Sequence, residues 1–353
     1  MKQWVDGLIQ GSPFLQGMPA EVSYFVAMIF FSLVAVGWMC ICALFFVWLE
    51  RKVSARIQSR LGPVYAGKKF GWAQTPADAL KLLMKEDLVP GSADRLLFTI
   101  APAIAFLATM LTFAAIPIGN GLVVANLDIG IFYMLAVSSI GVIGIIMGGW
   151  ASNNKWSLYG GMRAASQIVS YEIPVALSLI GVVMYTGTLN MVEIGAAQAG
   201  GIWHWNFFPT RSPFLFAALI IYFIAALAEA NRTPFDLPEA ESELVSGYNT
   251  EYSGMKFALF FLAEFANLFV ISAIAVVMFL GAWNSPLPWQ ILPGPFWFLI
   301  KVFFVILVIM WLRWTLPRLR VDQLMYVCWK VLIPISLVVL ICLGVQVWLV
   351  GRG

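Results

Sequence analysis

The chain has 353 residues, of which 61% are hydrophobic and only 11% charged, with a formal net charge of +3. A soluble domain carries roughly a quarter charged residues, so this composition excludes a soluble globular protein and points to one polytopic helical bundle. Cys40, Cys42, Cys328 and Cys342 form no CxxC, and His204 is the single histidine. A haem, iron–sulfur or zinc site held by this chain alone is therefore not expected, and any redox chemistry must use a diffusible substrate or a partner's cofactor.

A membrane-crossing helix needs about 20 apolar residues. Eight stretches meet that length, near 24–48, 96–118, 131–151, 164–186, 213–229, 257–282, 296–314 and 331–350. The first is too long for a signal-peptide core and is followed by bases rather than a cleavage site, so it reads as a retained span. The predicted fold is an all-α membrane protein: a bundle of eight transmembrane helices, one domain over 1–353, with amphipathic surface helices on the cytoplasmic side. Seventeen of the 21 bases flank the first, third, fifth and seventh connections. By the positive-inside rule that side is cytoplasmic, and both termini lie on the periplasmic side of a bacterial inner membrane.

The first cytoplasmic connection, 50–95, has a pattern of its own. Val53, Ile57 and Leu61 recur at helical spacing beside Arg56 and Arg60. After Gly62-Pro63, Thr75 as N-cap and Pro76 at the first helical position announce a second helix. Both segments are expected to lie along the membrane surface. The plain alternative is a basic belt on anionic headgroups. In the third span, Gly141, Gly144, Gly148 and Gly149 predict close helix packing.

Two acids fall inside spans. Glu172 lies nine residues from Arg163, about 13 Å along the helix, and Glu264 eight residues from Lys256, about 12 Å. Both are near the centre of a hydrocarbon core about 30 Å thick. Glu229 closes the fifth span on the cytoplasmic side. A carboxylate at such depth is neutral, paired or hydrated. With no Lys or Arg mid-span beside them in the sequence, proton handling is favoured over a structural ion pair. Pro174 frees the carbonyl of Ser170 and predicts a local opening that holds water beside Glu172.

A cytoplasmic acidic loop, 230–255, joins the fifth and sixth spans. Glu229, Asp236, Glu239, Glu241, Glu243 and Glu251 fall within 23 residues, against one base, Arg232. On an extended segment, Glu239, Glu241 and Glu243 would share one face at about 6.7 Å spacing. Adjacent charges would then repel by about 2.5 kcal/mol at an effective dielectric of about 20, enough to hold a shared proton. On a helix most of this vanishes. The alternative is a solvated loop that docks on a basic partner.

The run NRTPFDLPEAESELVSGYNTEYSGMKFALFF resembles the signature of the quinone-tunnel membrane subunit of respiratory complex I, the family of the bacterial H subunit and its mitochondrial counterpart. ERKVSARIQSRLGP at 50–63, ADALKLLMKED at 78–87 and QIVSYEIP at 167–174 extend the resemblance over essentially the whole chain. It implies a subunit of a proton-pumping NADH:quinone oxidoreductase that is not catalytic alone. Such a subunit binds no cofactor itself. Its substrate is a quinone such as ubiquinone, FMN and iron–sulfur clusters reside in partner subunits, and no nucleic acid is involved. By the resemblance Arg51, Arg60, Asp78, Phe260, Phe261 and Phe265 lie along the quinone tunnel, with Glu50 and Glu86 nearby. Glu172, Glu229 and Glu264 match membrane carboxylates that start a polar axis towards other membrane-arm subunits. Asp236, Glu239, Glu241, Glu243 and Glu251 match the loop that joins the quinone chamber to that axis. Phe265 departs from relatives that carry Tyr there. The rival readings are a homologous subunit of a membrane-bound hydrogenase or formate hydrogenlyase, a stand-alone transporter or proton channel, and a passive membrane anchor. The paired broken helices of a transporter are missing from the sequence.

Overall fold

The computed structural model describes residue 6 and residues 19–209, 211–237, 245–287 and 292–350. Glu239, Glu241 and Glu243 lie outside the described residues. Among the described residues the secondary structure is helical, and seven helices are long and apolar enough to cross a membrane. They include α1 (Ala20–Ile57), α3 (Arg95–Ala114), α4 (Gly130–Ala151), α5 (Lys155–Thr186), α8 (Gly254–Met278) and α9 (Gly294–Thr315). The seventh runs over Val321–Leu349 and combines α10 (Val321–Tyr326), a π-helical segment (Val327–Leu332) and α11 (Ile333–Val350). The remaining expected span, 213–229, is a shorter apolar helix of 17 residues, α7 (Pro213–Glu229). Between spans lie α2 (Gln74–Met84) and the one-turn-and-a-half α6 (Met191–Ala196).

Local chemistry sets these boundaries. The Asp94 carboxylate accepts from the amides of Leu96 and Leu97, and the Asn154 carbonyl oxygen accepts from Trp156, so α3 and α5 start on side-chain caps. Pro213 opens α7, where its missing N–H costs nothing. Gly187, at φ 76°, closes α5 in the left-handed region that glycine tolerates.

Two surface expectations change. The segment around Val53 and Ile57 is not a separate surface helix, because α1 runs unbroken through Ile57. Its sequence has no breaker before Gly62, so the span simply continues beyond the apolar stretch. The second helix begins two residues early, at Gln74 after Ala73, with no side-chain cap. Thr75 is buried instead, and Pro76 sits in the first turn, where the missing donor is still harmless.

Helix α8 is the central post. It packs on α1, α3 and α9, and every residue from Leu268 to Met278 is buried. Its C-terminal end is held by side chains from elsewhere. Lys301 Nζ donates to the carbonyls of Leu280, Ala282 and Asn284 at 2.8, 3.0 and 2.7 Å and lies 3.8 Å from the Trp205 ring centroid. Gln198 and Asn206 donate to Val277 and Met278 there. By contrast α1 is peripheral, with Phe25, Leu33 and Ile41 exposed to the surroundings.

Pro174 does not break α5, which continues to Thr186. The carbonyl of Ser170, left without its helical donor, accepts the Cys328 thiol at 3.1 Å, and the Ser170 hydroxyl accepts from the Trp329 indole at 3.3 Å. The expected pocket beside Pro174 is therefore filled by the π-helical segment of the last span. That segment precedes Pro334, whose ring crowds the carbonyl four residues before it, which accounts for the wider turn there.

The glycine-rich α4 packs against α3 and α5 as its spacing predicts. A Cβ on Gly144 would stand 2.8 Å from Ala105 N and 2.9 Å from Ala101 O. Gly144→Val should therefore force α3 and α4 apart. The expected loss is about 1–3 kcal/mol, visible as a lower melting temperature of the assembled, detergent-solubilised complex. An unchanged melting temperature would show that the interface relaxes freely.

Candidate functional site

The site is built where the chain leaves α7. After Glu229 and Ala230, Asn231 adopts a left-handed φ of 51° and turns the backbone back towards the bundle. The Gln167 side-chain amide of α5 fastens this turn. It donates to the carbonyls of Ala228 and Phe235 at 2.8 and 2.7 Å, and to Asn231 Oδ1 at 3.2 Å. The turn delivers Arg232 inward, where it is 3% exposed.

Arg232 meets two carboxylates there. Its guanidinium lies 3.3 Å from Glu50 of α1 and 3.0 Å from Glu264 of α8, and it covers the Phe265 ring at 4.4 Å. Glu50 is also bonded by Arg313 near the end of α9. Two acids and two bases thus balance in a region of low exposure, the condition under which buried charge is tolerated. The expectation that no base reaches the mid-span acids is overturned for Glu264. Counting residues along one helix measures depth but ignores an arginine that re-enters from a neighbouring turn.

Three cavities surround this cluster. An apolar one of about 240 Å³ lies between α1, α2 and α8, with Arg51, Asp78, Phe261 and Phe265 in its wall. Arg51 and Asp78 pair at 2.5 Å beside it. A second, of about 230 Å³, shares Arg51, Phe261 and Phe265 with the first and adds Arg60, Arg232 and Glu264. The third, of about 70 Å³, lies among α3, α4, α5, α7 and α8 and is lined by Glu229, Asn231, Thr109, Ser138, Asn267 and again Glu264. Glu264 therefore stands in the wall between the arginine cluster and the inner polar cavity.

Five of the six predicted tunnel residues gather at the first two cavities. Phe260 does not. It turns to the opposite side of α8, lines the inner cavity, and packs edge-on against Tyr248 and Tyr252. The carboxylates are distributed more unevenly. Glu229 lines the inner cavity with Glu264. Glu172 faces the Ser139 hydroxyl of α4 and is within electrostatic reach of Glu229. Its Oε1 is buried and has no hydrogen-bond partner among the described residues. Asp236 pairs with Arg318 at 3.3 Å, while Glu251 accepts from the Asn154 amide at 2.5 Å on the far side of the loop. Leu319 N also donates to Pro234 O, so the connection after α9 is tied to the loop after α7.

Sequence reasoning does not assign Arg232, Arg313 or Arg318 to the site. Arg232 carries one signal, as the sole base in the acid-rich stretch. Arg313 and Arg318 look like ordinary span-flanking bases, and nothing in their spacing distinguishes them. Among the described residues no group of three or more His, Cys, Asp or Glu side chains could hold a metal ion.

A family model described as NADH dehydrogenase matches residues 29–344. A Chlorobium luteolum protein named as the H subunit of an NADH-quinone oxidoreductase is 50% identical over 351 residues, covering 96% of this chain and 92% of the relative. The protein of that name from Anaeromyxobacter dehalogenans is 47% identical, covering 89% and 80%. The one from Bacteroides thetaiotaomicron is 46% identical, covering 90% and 91%.

Removing one member of a buried, balanced charge cluster strands the others. Arg232→Met should cost about 3–5 kcal/mol by leaving Glu264 without its partner, read as a fall in melting temperature or in yield of the assembled complex. If Glu264→Gln in the same chain restores stability, the loss belongs to the stranded carboxylate. If it does not, the cluster is not what Arg232 stabilises.

Proposed function

The chain belongs to the NADH dehydrogenase family, and from that premise we propose that it is the membrane subunit of a proton-pumping NADH:quinone oxidoreductase that walls the quinone chamber and passes its charge change inward. The base-rich side faces the cytoplasm of a bacterial inner membrane, beneath partner subunits that carry FMN and iron–sulfur clusters. The observation that carries this reading is the double position of Glu264, which lines both the cavity beside Arg232 and the inner cavity beside Glu229.

A quinone tail is a long apolar chain, and the cavity between α1, α2 and α8 suits it in lining and in height beside the surface helix. The Arg51–Asp78 pair borders the polar end of that route, where a headgroup must leave lipid for a charged chamber. Two electrons from a partner's cluster and two protons convert the quinone to its quinol. Until both protons arrive, the chamber holds added negative charge, and in a low-dielectric site that charge acts strongly on neighbours.

Arg232 is the group built to respond. It is shared between Glu50 on the chamber side and Glu264 on the inner side, and Arg313 already supports Glu50. A shift of the guanidinium towards new anionic charge in the chamber leaves Glu264 without its counter-charge. A carboxylate stripped in that way takes up a proton. Its source is the inner cavity, so the change passes to Glu229 and on to Glu172. Glu172 keeps one buried oxygen unpartnered among the described residues, as suits a residue that hands the change to a neighbouring subunit. Asp236 and Arg318 connect the same event to the loop after α9.

Glu264→Gln and Glu172→Gln should each abolish quinone-linked proton pumping by the assembled complex in sealed vesicles. Normal pumping by either variant removes that residue from the relay. Arg60→Met should raise the apparent KM for a short-chain quinone several-fold, whereas unchanged kinetics would return Arg60 to a headgroup-facing belt.

A further inference from the structure

The inner cavity has a second thin wall, on the side away from the quinone chamber. At the base-rich ends of α3, α4 and α5 lies an open polar cleft of about 450 Å³, bordered by Ser92, Asp94, Asn153, Asn154 and Lys155. Asn154 reaches from this cleft to the Glu251 carboxylate at 2.5 Å. The next residue, Tyr252, is buried at 6% exposure. Its ring stacks face to face on Phe98 at 4.1 Å and edge-on against Phe260 at 5.0 Å. Its hydroxyl lies 3.5 Å from the Gly148 carbonyl and faces the Ser152 hydroxyl. Behind it, Phe260 and Tyr248 already line the inner cavity with Glu229 and Glu264. An aromatic layer of Tyr252, Phe98, Phe260 and Tyr248 therefore stands between the Asn154–Glu251 contact at the cleft and the cavity of the buried carboxylates.

The backbone is shaped to keep that layer thin. A Cβ on Gly148 would meet Phe260 at 3.0 Å and the Tyr252 hydroxyl at 3.4 Å. A Cβ on Gly160 would meet the backbone of Gly247 at 2.6 Å. Both glycines let the 245–254 segment sink against α4 and α5. Helix packing alone does not call for a phenol at this depth, and phenylalanine would stack equally well.

We propose that this layer is a gated proton entrance from the cytoplasm, running from the Asn154–Glu251 cleft past Tyr252 and Tyr248 to the cavity of Glu229 and Glu264, separate from the quinone chamber. The inference rests on the proposed role of those carboxylates and supplies the protons that role consumes. Burial holds the Tyr252 phenol above its ordinary pKa, so it relays without ionising. Its oxygen accepts a proton from the Glu251 side as its own proton leaves towards the cavity, and a rotation of the hydroxyl resets it with no net charge gained. The cavity has room for a few waters to complete the step. The stacked rings exclude water, so the route conducts only when Tyr252 moves.

The test uses the assembled complex in sealed inside-out vesicles, with NADH and a short-chain quinone. Tyr252→Phe keeps the ring and removes the relay oxygen. The pumping rate should fall at least twofold while the apparent KM for quinone stays within twofold of the unmodified complex. A smaller fall in pumping overturns the entrance, as does a fall accompanied by a larger KM change. Should Tyr252→Phe fail to assemble, Asn154→Ala, at the cleft rim, is judged by the same thresholds. Glu264→Gln runs in parallel. If it pumps normally, the reading of the inner cavity itself falls. If it blocks pumping and Tyr252→Phe does not, only the entrance falls.

Discussion

An arginine buried among apolar helices must be met by carboxylates, and the burial of Arg232 organises this molecule. A guanidinium cannot shed its charge, so its position dictates what surrounds it. Glu50 arrives from α1, Glu264 from α8 and Arg313 from α9, so three spans and the turn after α7 are fixed by one electrostatic requirement. The turn is itself prepared by α5, whose Gln167 amide donates to the Ala228 carbonyl at the end of α7 and to the Phe235 carbonyl beyond the turn, tying the two together. Breaking any strand of this arrangement leaves charge in low dielectric, which is why the cluster acts as a unit.

Helix α8 turns that unit into a partition. Residues four apart share a face, so Phe261 and Phe265 both look towards α1 and α2, and Phe260, Glu264 and Asn267 look towards the inner cavity. Glu264 falls at the seam between the two faces. Moved one residue along the helix, the same carboxylate would belong wholly to one cavity. The proposed coupling depends on this register, because a single group must sense charge on one side and exchange a proton on the other.

Much of this is legible in the sequence itself. The apolar stretches gave the spans closely, since length and hydropathy leave few alternatives in a bilayer. The glycines of α4 announced a tight interface, and the resemblance drew Arg51, Arg60, Asp78, Phe261 and Phe265 to one region. What escaped was anything that depends on a side chain crossing between elements. Arg232 stands outside every span in sequence and reaches into the bundle by a left-handed turn at Asn231. The Ser170 carbonyl freed by Pro174 reads locally as a site for water, yet the Cys328 thiol of the last span fills it, because local rules cannot name a partner 158 residues away. The resemblance places Phe260 with Phe261, although neighbours on a helix point about 100° apart.

The two halves of the bundle are built for different purposes, and this limits where a displaced proton can go. Towards the base-rich side lie the arginine cluster, the three cavities around it and the surface cleft. Towards the other side, α8 is buried without a break from Leu268 to Met278 and ends on Lys301, all three of whose N–H donors are taken by carbonyls. A helix end that is buried and closed in that way offers no polar path for a charge. A proton that reaches Glu264 in the proposed mechanism thus has no onward route along α8. In that mechanism the polar direction left runs sideways, through Glu229 to Glu172, which faces the Ser139 hydroxyl of α4 and keeps one buried oxygen without a hydrogen-bond partner among the described residues. In the proposed mechanism the chain therefore acts as a collector that delivers charge laterally.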